Sequence, residues 1–314
     1  PDSTILITEG DSAKNFGVAG LSVVGRKKFG IYPIRGKFLN VRGLSSKRIV
    51  ENDEARKLLQ ILGLSPNPKD NSEDLKLPYG RLMVLSDQDV DGTHIAALLI
   101  NLVHVCAPGL LERKPDFVCR FATALIRVRL PGTKQERGFY SEAEYDAFRR
   151  DRISRNLPTG TAKYYKGMGT SSAELAKQYF SELRANTIVL RYEGVACSEA
   201  FDLFFNKGRA DDRKRVLSAD ASGDDTCDPI DYSLDCVSME RFVRGELLPA
   251  YAMAAIVRGI PALDGLNQAR RKILWGARAL NVVHDTVSVA NLAGKISAKS
   301  NYHHRGTAME DSII

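Results

Sequence analysis

Four acidic side chains fall at two places where an apolar, strand-like run stops. Glu9 follows Thr4-Ile5-Leu6-Ile7-Thr8, and Asp87, Asp89 and Asp91 follow Arg81-Leu82-Met83-Val84-Leu85-Ser86. Alternate residues of a near-extended segment point the same way, so the three aspartates can share one face. If the two strands are neighbours in a parallel sheet, all four carboxylates converge on the edge where such sheets bind ligands. Without a counter-charge they repel and raise one another's pKa. A divalent cation relieves that repulsion, and Mg²⁺ prefers a few carboxylates together with waters and phosphate oxygens. The chemistry this set suits is metal-assisted phosphoryl transfer.

Other readings fail on the letters. Asp87, Asp89, Asp91 and Gly92 open like an EF-hand loop, but the twelfth position is Leu98 where a bidentate glutamate is needed. Gly30 to Lys37 resembles a phosphate-binding loop, yet it is one residue too long and Phe38 stands in place of Ser or Thr. No G-x-G-x-x-G and no G-x-S-x-G occurs.

The elements that must position the acids come next. Gly10 allows a tight turn after Glu9, and Asp11 or Ser12 can cap a helix running to about Gly20. Gly25, Gly30 and Gly36, mixed with Arg26, Lys27, Lys28, Arg35 and Lys37, read as basic loop and strand. Ser45 to Leu62 has helical character, and Ser65 to Pro78 reads as loop. After the aspartates, Ile95, Leu98, Leu99, Leu102, Val103 and Cys106 form one helical stripe. Strand, acidic turn and helix therefore occur twice, which is the grammar of an α/β domain with a parallel sheet. Phe121 to Leu130 and Gly138 to Tyr140 flank a turn-like segment in the manner of a hairpin, and Ser141 and Ser172 are candidate caps of two further helices. Met239 to Ile256 and Gln268 to Leu280 read as helical.

The bulk properties agree with a folded chain. Of 314 residues, 44% are hydrophobic and 26% charged, which excludes wholesale disorder and a small disulfide-stapled scaffold. The net charge of +7 suits a polyanion partner but is weak evidence alone. Five scattered cysteines without a C-x-x-C point to a reducing compartment rather than to zinc. The longest uncharged run, Thr93 to Leu111, contains His94, Asn101, His104 and Pro108. It reads as a buried helix, so no membrane partner is expected. No targeting segment opens the chain, and both ends read as cut from a longer protein.

Glu9-Gly10-Asp11-Ser12-Ala13 together with Asp87-Gln88-Asp89-Val90-Asp91-Gly92 resembles the Toprim domain. Pro33-Ile34-Arg35-Gly36-Lys37-Phe38-Leu39-Asn40-Val41 and Tyr164-Tyr165-Lys166-Gly167-Met168-Gly169-Thr170 narrow the likeness to type IIA DNA topoisomerases, eukaryotic topoisomerase II in particular. Ile260-Pro261, Asp264-Gly265-Leu266, Arg271-Lys272 and then Tyr302-His303-His304 resemble the start of the winged-helix breakage-reunion domain. Two departures stand out. His-His-Gly-Glu is replaced by His303-His304-Arg305-Gly306, and the stretch between Pro261 and Arg271 is one residue short of the usual form.

The resemblance implies an ATP-dependent enzyme that cuts one DNA duplex through a 5′-phosphotyrosyl bond, passes a second duplex and reseals the first. By motif, Glu9 and Asp87 hold the catalytic Mg²⁺, Asp87 and Asp89 hold a second ion, and Asp91 supports them. Whether Glu9 also moves a proton stays open. Lys37, Asn40 and Lys166 would line the DNA, with Arg271, Lys272, Tyr302, His303 and His304 approaching from the winged-helix side. No tyrosine matches the family's nucleophile, and the ATPase region has no counterpart here. The chain alone is therefore expected to bind Mg²⁺ and duplex DNA without cleaving, and ATP enters only through the missing region. The resemblance also implies a homodimeric full-length enzyme and a nuclear location, with a viral or mitochondrial form equally compatible.

The expected layout is a Rossmann-like Toprim core over 1–120 and an associated extension over 121–217. An acidic linker with six aspartates follows over 218–236, and then the first part of a mainly helical winged-helix domain over 237–314. Two alternatives remain in view: a Toprim nuclease or primase, and a non-catalytic DNA-binding scaffold. The Tyr164–Thr170 and Ile260–Lys272 motifs speak against the first. The second would tolerate loss of Glu9.

Overall fold

β-Branched and apolar residues at Thr4–Glu9 and Arg81–Leu85 form strands β1 and β3 of a six-stranded sheet, as the computed structural model of the chain shows. The structure describes residues 2–71, 75–133, 136–165, 168, 171–222, 230–232, 234–261, 264–282, 286–300, 302 and 306–314. Helix α1 (Gly10–Val24) leads from β1 to β2 (Phe29–Ile34). Helices α2 (Ser46–Glu51) and α3 (Asp53–Leu62) precede β3, and α4 (Val90–Cys106) and α5 (Pro108–Arg113) lead to β4 (Val118–Phe121). Next come β5 (Ile126–Arg129), β6 (Glu136–Phe139), α6 (Glu142–Ser154), β7 (Thr161–Tyr164) and α7 (Ala173–Ser181). Then β8 (Thr187–Arg191), α8 (Val195–Phe205), α9 (Ala210–Ser222), β9 (Cys236–Ser238) and α10 (Met239–Phe242) follow, and a π-helical stretch covers Val243–Tyr251. The chain ends in α11 (Ala252–Gly259), α12 (Gln268–Ala279), α13 (Val289–Ser300) and α14 (Gly306–Ile313).

The sheet order is β2-β1-β3-β4-β8-β9, with β2, β1, β3 and β4 parallel and β8 antiparallel to β4. Side chains alternate cleanly between two buried layers. Ile5, Ile7, Leu82, Val84 and Val118 face one layer, while Leu6, Met83, Leu85, Cys119 and Phe121 face the other. Both faces are covered, which is why the central strands read as continuous apolar runs rather than as alternating ones. Strands β6-β5-β7 form a separate antiparallel sheet over a small cluster of Ile126, Val128, Phe139 and Tyr145.

The structure refines several expected elements. The helical stretch from Ser45 to Leu62 divides at Asn52, which closes α2 and caps α3 by accepting from the Ala55 amide. The uncharged run from Thr93 to Leu111 is not one helix. α4 stops at Cys106, and Pro108 starts α5, because proline lacks the amide hydrogen a continuing helix needs. The expected hairpin is the β5–β6 pair, and Ser141 and Ser172 do cap α6 and α7.

Two compact units divide the chain, one ending at Tyr251 and one spanning Ala252–Ile314. The span 237–314 is thus split between them. Val237, Met239, Phe242, Val243 and Leu247 are buried in the first unit's core, and β9 pairs with β8. The second unit is helical, with Ala293, Ile296 and Met309 at its centre against Ile273, Leu280, Leu292, Tyr302 and Ile313. Among the described residues, no helix is long and apolar enough to cross a membrane.

Candidate functional site

Strands β1 and β3 are parallel neighbours, with Thr8 opposite Leu85, so both acidic turns leave the same edge of the sheet. Glu9 is the last residue of β1, and Gly10 takes φ +73°, a conformation that favours glycine and turns the chain sharply into α1. A Glu9 Oε2 atom accepts from the Asp87 backbone amide at 3.4 Å. Burial, then repulsion from Asp87 and Asp89, pushes the Glu9 carboxyl up to about 7. Burial also raises Asp87, with Asp89 adding to it, against the opposing bond from the Met168 amide to Asp87 Oδ1 at 2.8 Å.

The three aspartates are set in different ways. Asp89 caps α4, its Oδ1 accepting from the Gly92 amide at 2.8 Å. Asp91 lies in the first turn of α4 and pairs with Lys37 at 2.7 Å. Gly92 is required by close approach, since a Cβ there would stand 2.0 Å from the Asp87 carbonyl oxygen. Lys37 also donates to the Tyr251 hydroxyl at 3.1 Å and lies 4.6 Å from its ring centre. Burial works against the Lys37 charge, but the bonds to Asp91 and Tyr251 outweigh it and raise the ammonium pKa. His94 stacks on the other partner of this corner, Tyr251, at 3.8 Å, and burial pushes its imidazole down to about 4.

The donor set is all carboxylate oxygen, the chemistry of a hard cation such as Mg²⁺ rather than of zinc. No group of three or more potential ligands among the described residues stands ready as a cage. Mg²⁺ itself takes one or two carboxylates and keeps several waters or phosphate oxygens. Glu9 and Asp87 are both half-buried, and repulsion from Asp87 adds to the rise at Glu9.

The other expected site residues lie elsewhere or do other work. Asn40 is not at the acidic edge. Its amide donates to the Phe205 carbonyl at 2.9 Å and accepts from Arg42 and Asn101, so it is engaged inside the fold. Lys166, His303 and His304 lie outside the described residues. In the second unit, Arg271 makes a two-pronged contact with Asp264, both distances 2.8 Å. Lys272 donates to the Ser300 carbonyl at 3.1 Å and sits over the Tyr302 ring. Residues that the sequence did not single out also contribute. The Met168 backbone amide supports Asp87, Tyr251 holds Lys37, and Arg120 reaches the Asp87 carbonyl. An arginine inside a strand reads by type as exposed, so no local signal marked Arg120.

The family described as the C-terminal associated domain of TOPRIM matches residues 121–255. A mitochondrial DNA topoisomerase 2 of Dictyostelium discoideum is 37% identical over the whole of this chain, which covers 24% of that protein. DNA topoisomerase 2 of Arabidopsis thaliana is 39% identical over 99% of the chain, which covers 21% of it. The chain thus spans about a fifth to a quarter of the length of these curated relatives. The Plasmodium falciparum topoisomerase II DNA-binding, cleavage and re-ligation domain matches 99% of the chain, which covers 41% of that structure, with TM-score 0.81 and 37% identity. Residues 121–255 thus match the C-terminal associated domain of TOPRIM, and over almost its whole length the chain is similar in sequence and fold to part of the eukaryotic type II DNA topoisomerases.

Proposed function

We propose that the edge formed by Glu9, Asp87, Asp89 and Asp91 binds Mg²⁺ next to a DNA phosphate, as the metal-holding part of a type II DNA topoisomerase. The observation that carries this reading is the meeting of two separate strand ends: Glu9 accepts from the Asp87 amide while burial and the aspartates push it up to about 7. A carboxyl held that high is ready to exchange its proton for a metal ion near neutral pH. Glu9 and Asp87 would hold one ion and Asp87 with Asp89 a second, with Asp91, which pairs with Lys37, supporting them. When bound, Mg²⁺ would stabilise negative charge on the phosphate and on the 3′ oxygen that leaves and returns.

The chain's own residues then divide the work. Glu9 would hold an ion in its deprotonated form, with the proton released to solvent. The Met168 amide keeps Asp87 oriented, and Lys37 places a positive charge at the rim where a phosphate backbone would pass. Lys166 and the second unit's Arg271, Lys272, Tyr302, His303 and His304 would add DNA contacts. No tyrosine here matches the family's nucleophile, so this chain would bind duplex DNA and leave it uncut. Passage of a second duplex, ATP use and homodimer formation belong to the full-length enzyme. A nuclear location rests on the family resemblance, and a mitochondrial one fits the name of the Dictyostelium relative.

The test is direct. Calorimetric titration of the chain with Mg²⁺ should show binding that Asp87→Asn removes. Duplex DNA affinity should fall steeply with salt, because phosphate contacts release counterions. Absence of any divalent-ion binding would overturn the reading.

A further inference from the structure

Arg120 is the one charged residue among the described residues that is buried as deeply as the hydrophobic core, at 1% exposure. It pairs with Val84 across β4 and β3, so its side chain reaches toward the turn that β3 enters. There its Nη2 donates to the Asp87 backbone carbonyl at 3.3 Å. Nη1 donates to Glu246 Oε2 and to the Tyr232 hydroxyl, both at 3.4 Å, and the Tyr232 hydroxyl donates to Glu246 Oε1. The Tyr140 ring stacks on Tyr232 at 5.5 Å and holds it in place. Nε finds no partner.

A buried ion pair is a poor stabiliser, because desolvation cancels much of its attraction. Glu246 neutralises the guanidinium, and neutralisation does not require the bond to Asp87. The same Asp87 carbonyl also lies close to Gly92, where a Cβ would stand 2.0 Å away. A glycine with no side chain and one arm of the Arg120 guanidinium together clamp it. We infer that Arg120 is a positioning residue for Asp87, tying the turn's backbone to the half-buried Glu246–Tyr232 pair. With the carbonyl fixed, the Asp87 amide stays directed at Glu9 and its carboxylate at the Met168 amide. The consequence for metal binding rests on the function proposed above; the clamp itself does not.

The experiment compares the chain with its Arg120→Met/Glu246→Met variant, which removes both charges and keeps the volume. Three quantities are read: amide exchange across residues 86–92 without metal, Mn²⁺ binding by electron paramagnetic resonance, and the thermal midpoint. Exchange in that turn should rise about tenfold, as for one lost hydrogen bond, while β1 and β4 exchange as before. Mn²⁺ binding should weaken by about 10- to 100-fold, as when support behind a metal ligand is lost. A near-unchanged midpoint separates this from general destabilisation. Unchanged exchange in the turn would overturn the inference whatever the metal does. If the unsubstituted chain bound no Mn²⁺, the proposed function would fail, and the exchange result would still decide Arg120. Should the double variant lose its fold, Arg120→Lys decides instead. It keeps the charge but not the fork, so faster exchange in the turn supports the clamp and unchanged exchange contradicts it.

Discussion

Glu9 at the sheet edge and Asp264 ahead of α12 are both carboxylates close to a helix start, yet one is pushed up to about 7 and the other held near 2. Asp264 is exposed, faces the Arg271 fork and accepts from the Leu266 amide. Its charge has a partner and water as well. Glu9 is largely buried, shares its edge with Asp87 and Asp89, and has one amide for support. The difference lies first in burial and then in the supply of positive charge. In the second unit an arginine supplies it from the chain itself. At the sheet edge, Lys37 serves Asp91, and on the proposed function Glu9 and Asp87 take a cation from outside.

The largest expected effect that would sharpen this contrast is on ion binding. Asp87→Asn should abolish Mg²⁺ binding seen by calorimetry, while Asp264→Asn leaves it unchanged. Equal loss in both would erase the distinction. Next comes Gly92→Ala. Its Cβ would enter the Asp87 carbonyl, so the turn must move, and Mg²⁺ affinity should fall even though no ligand is altered. Retained affinity would show that the turn's backbone does not matter.

Stability against pH should differ in sign between the two carboxylates. Glu9 has a folded pKa raised to about 7 from 4.5, so the folded state holds the extra proton between those values. Its contribution is therefore fully present below the unfolded value and is lost as pH rises through the folded one. The loss in metal-free buffer is at most about 3 kcal/mol. Glu9→Gln should remove that loss, so denaturant curves at pH 8 should show the variant more stable than the parent. Asp264 has the opposite sign, contributing above the usual carboxylate range and losing that contribution only as pH falls toward 2. A Glu9→Gln variant with an unchanged pH profile would mean that Glu9 is not held protonated.

The smallest effect concerns Lys37. It is a half-exposed competitor for Asp91, so Lys37→Met should tighten Mg²⁺ by roughly two- to fivefold, the size of a surface ion pair. The same variant should weaken duplex DNA binding and lower its salt dependence by about one phosphate contact. Weaker Mg²⁺ binding in that variant would place Lys37 among the supports of the site rather than opposite it.

Much of the sheet edge was legible because two apolar runs each ended in an acidic turn followed by a helical stripe. That pattern predicts parallel neighbours, and β1 and β3 are neighbours. The caps at Ser141 and Ser172 were legible for a similar reason, since a short hydroxyl before a helix has one common use. What escaped depends on contacts between distant parts of the chain. Arg120 meets Glu246 and Tyr232 more than a hundred residues away, and no local pattern marks a buried arginine. Asn40 carried a motif's expectation of DNA contact, but its amide is engaged by Phe205, Arg42 and Asn101. The role of Tyr164–Thr170 was likewise only partly visible. Its contact with the acids runs through the Met168 backbone amide, which side-chain identity does not encode. The division at Tyr251 was hidden because one apolar helical pattern runs through it.

Carbon-13 NMR of the Glu9 carboxyl, titrated with and without Mg²⁺, decides whether Glu9 and Asp87, from two strand ends, share a divalent cation. The midpoint should lie near 7 in metal-free buffer and fall when Mg²⁺ is added, with the Mg²⁺ response lost in Asp87→Asn. A midpoint at the ordinary glutamate value, unmoved by Mg²⁺, would contradict that sharing.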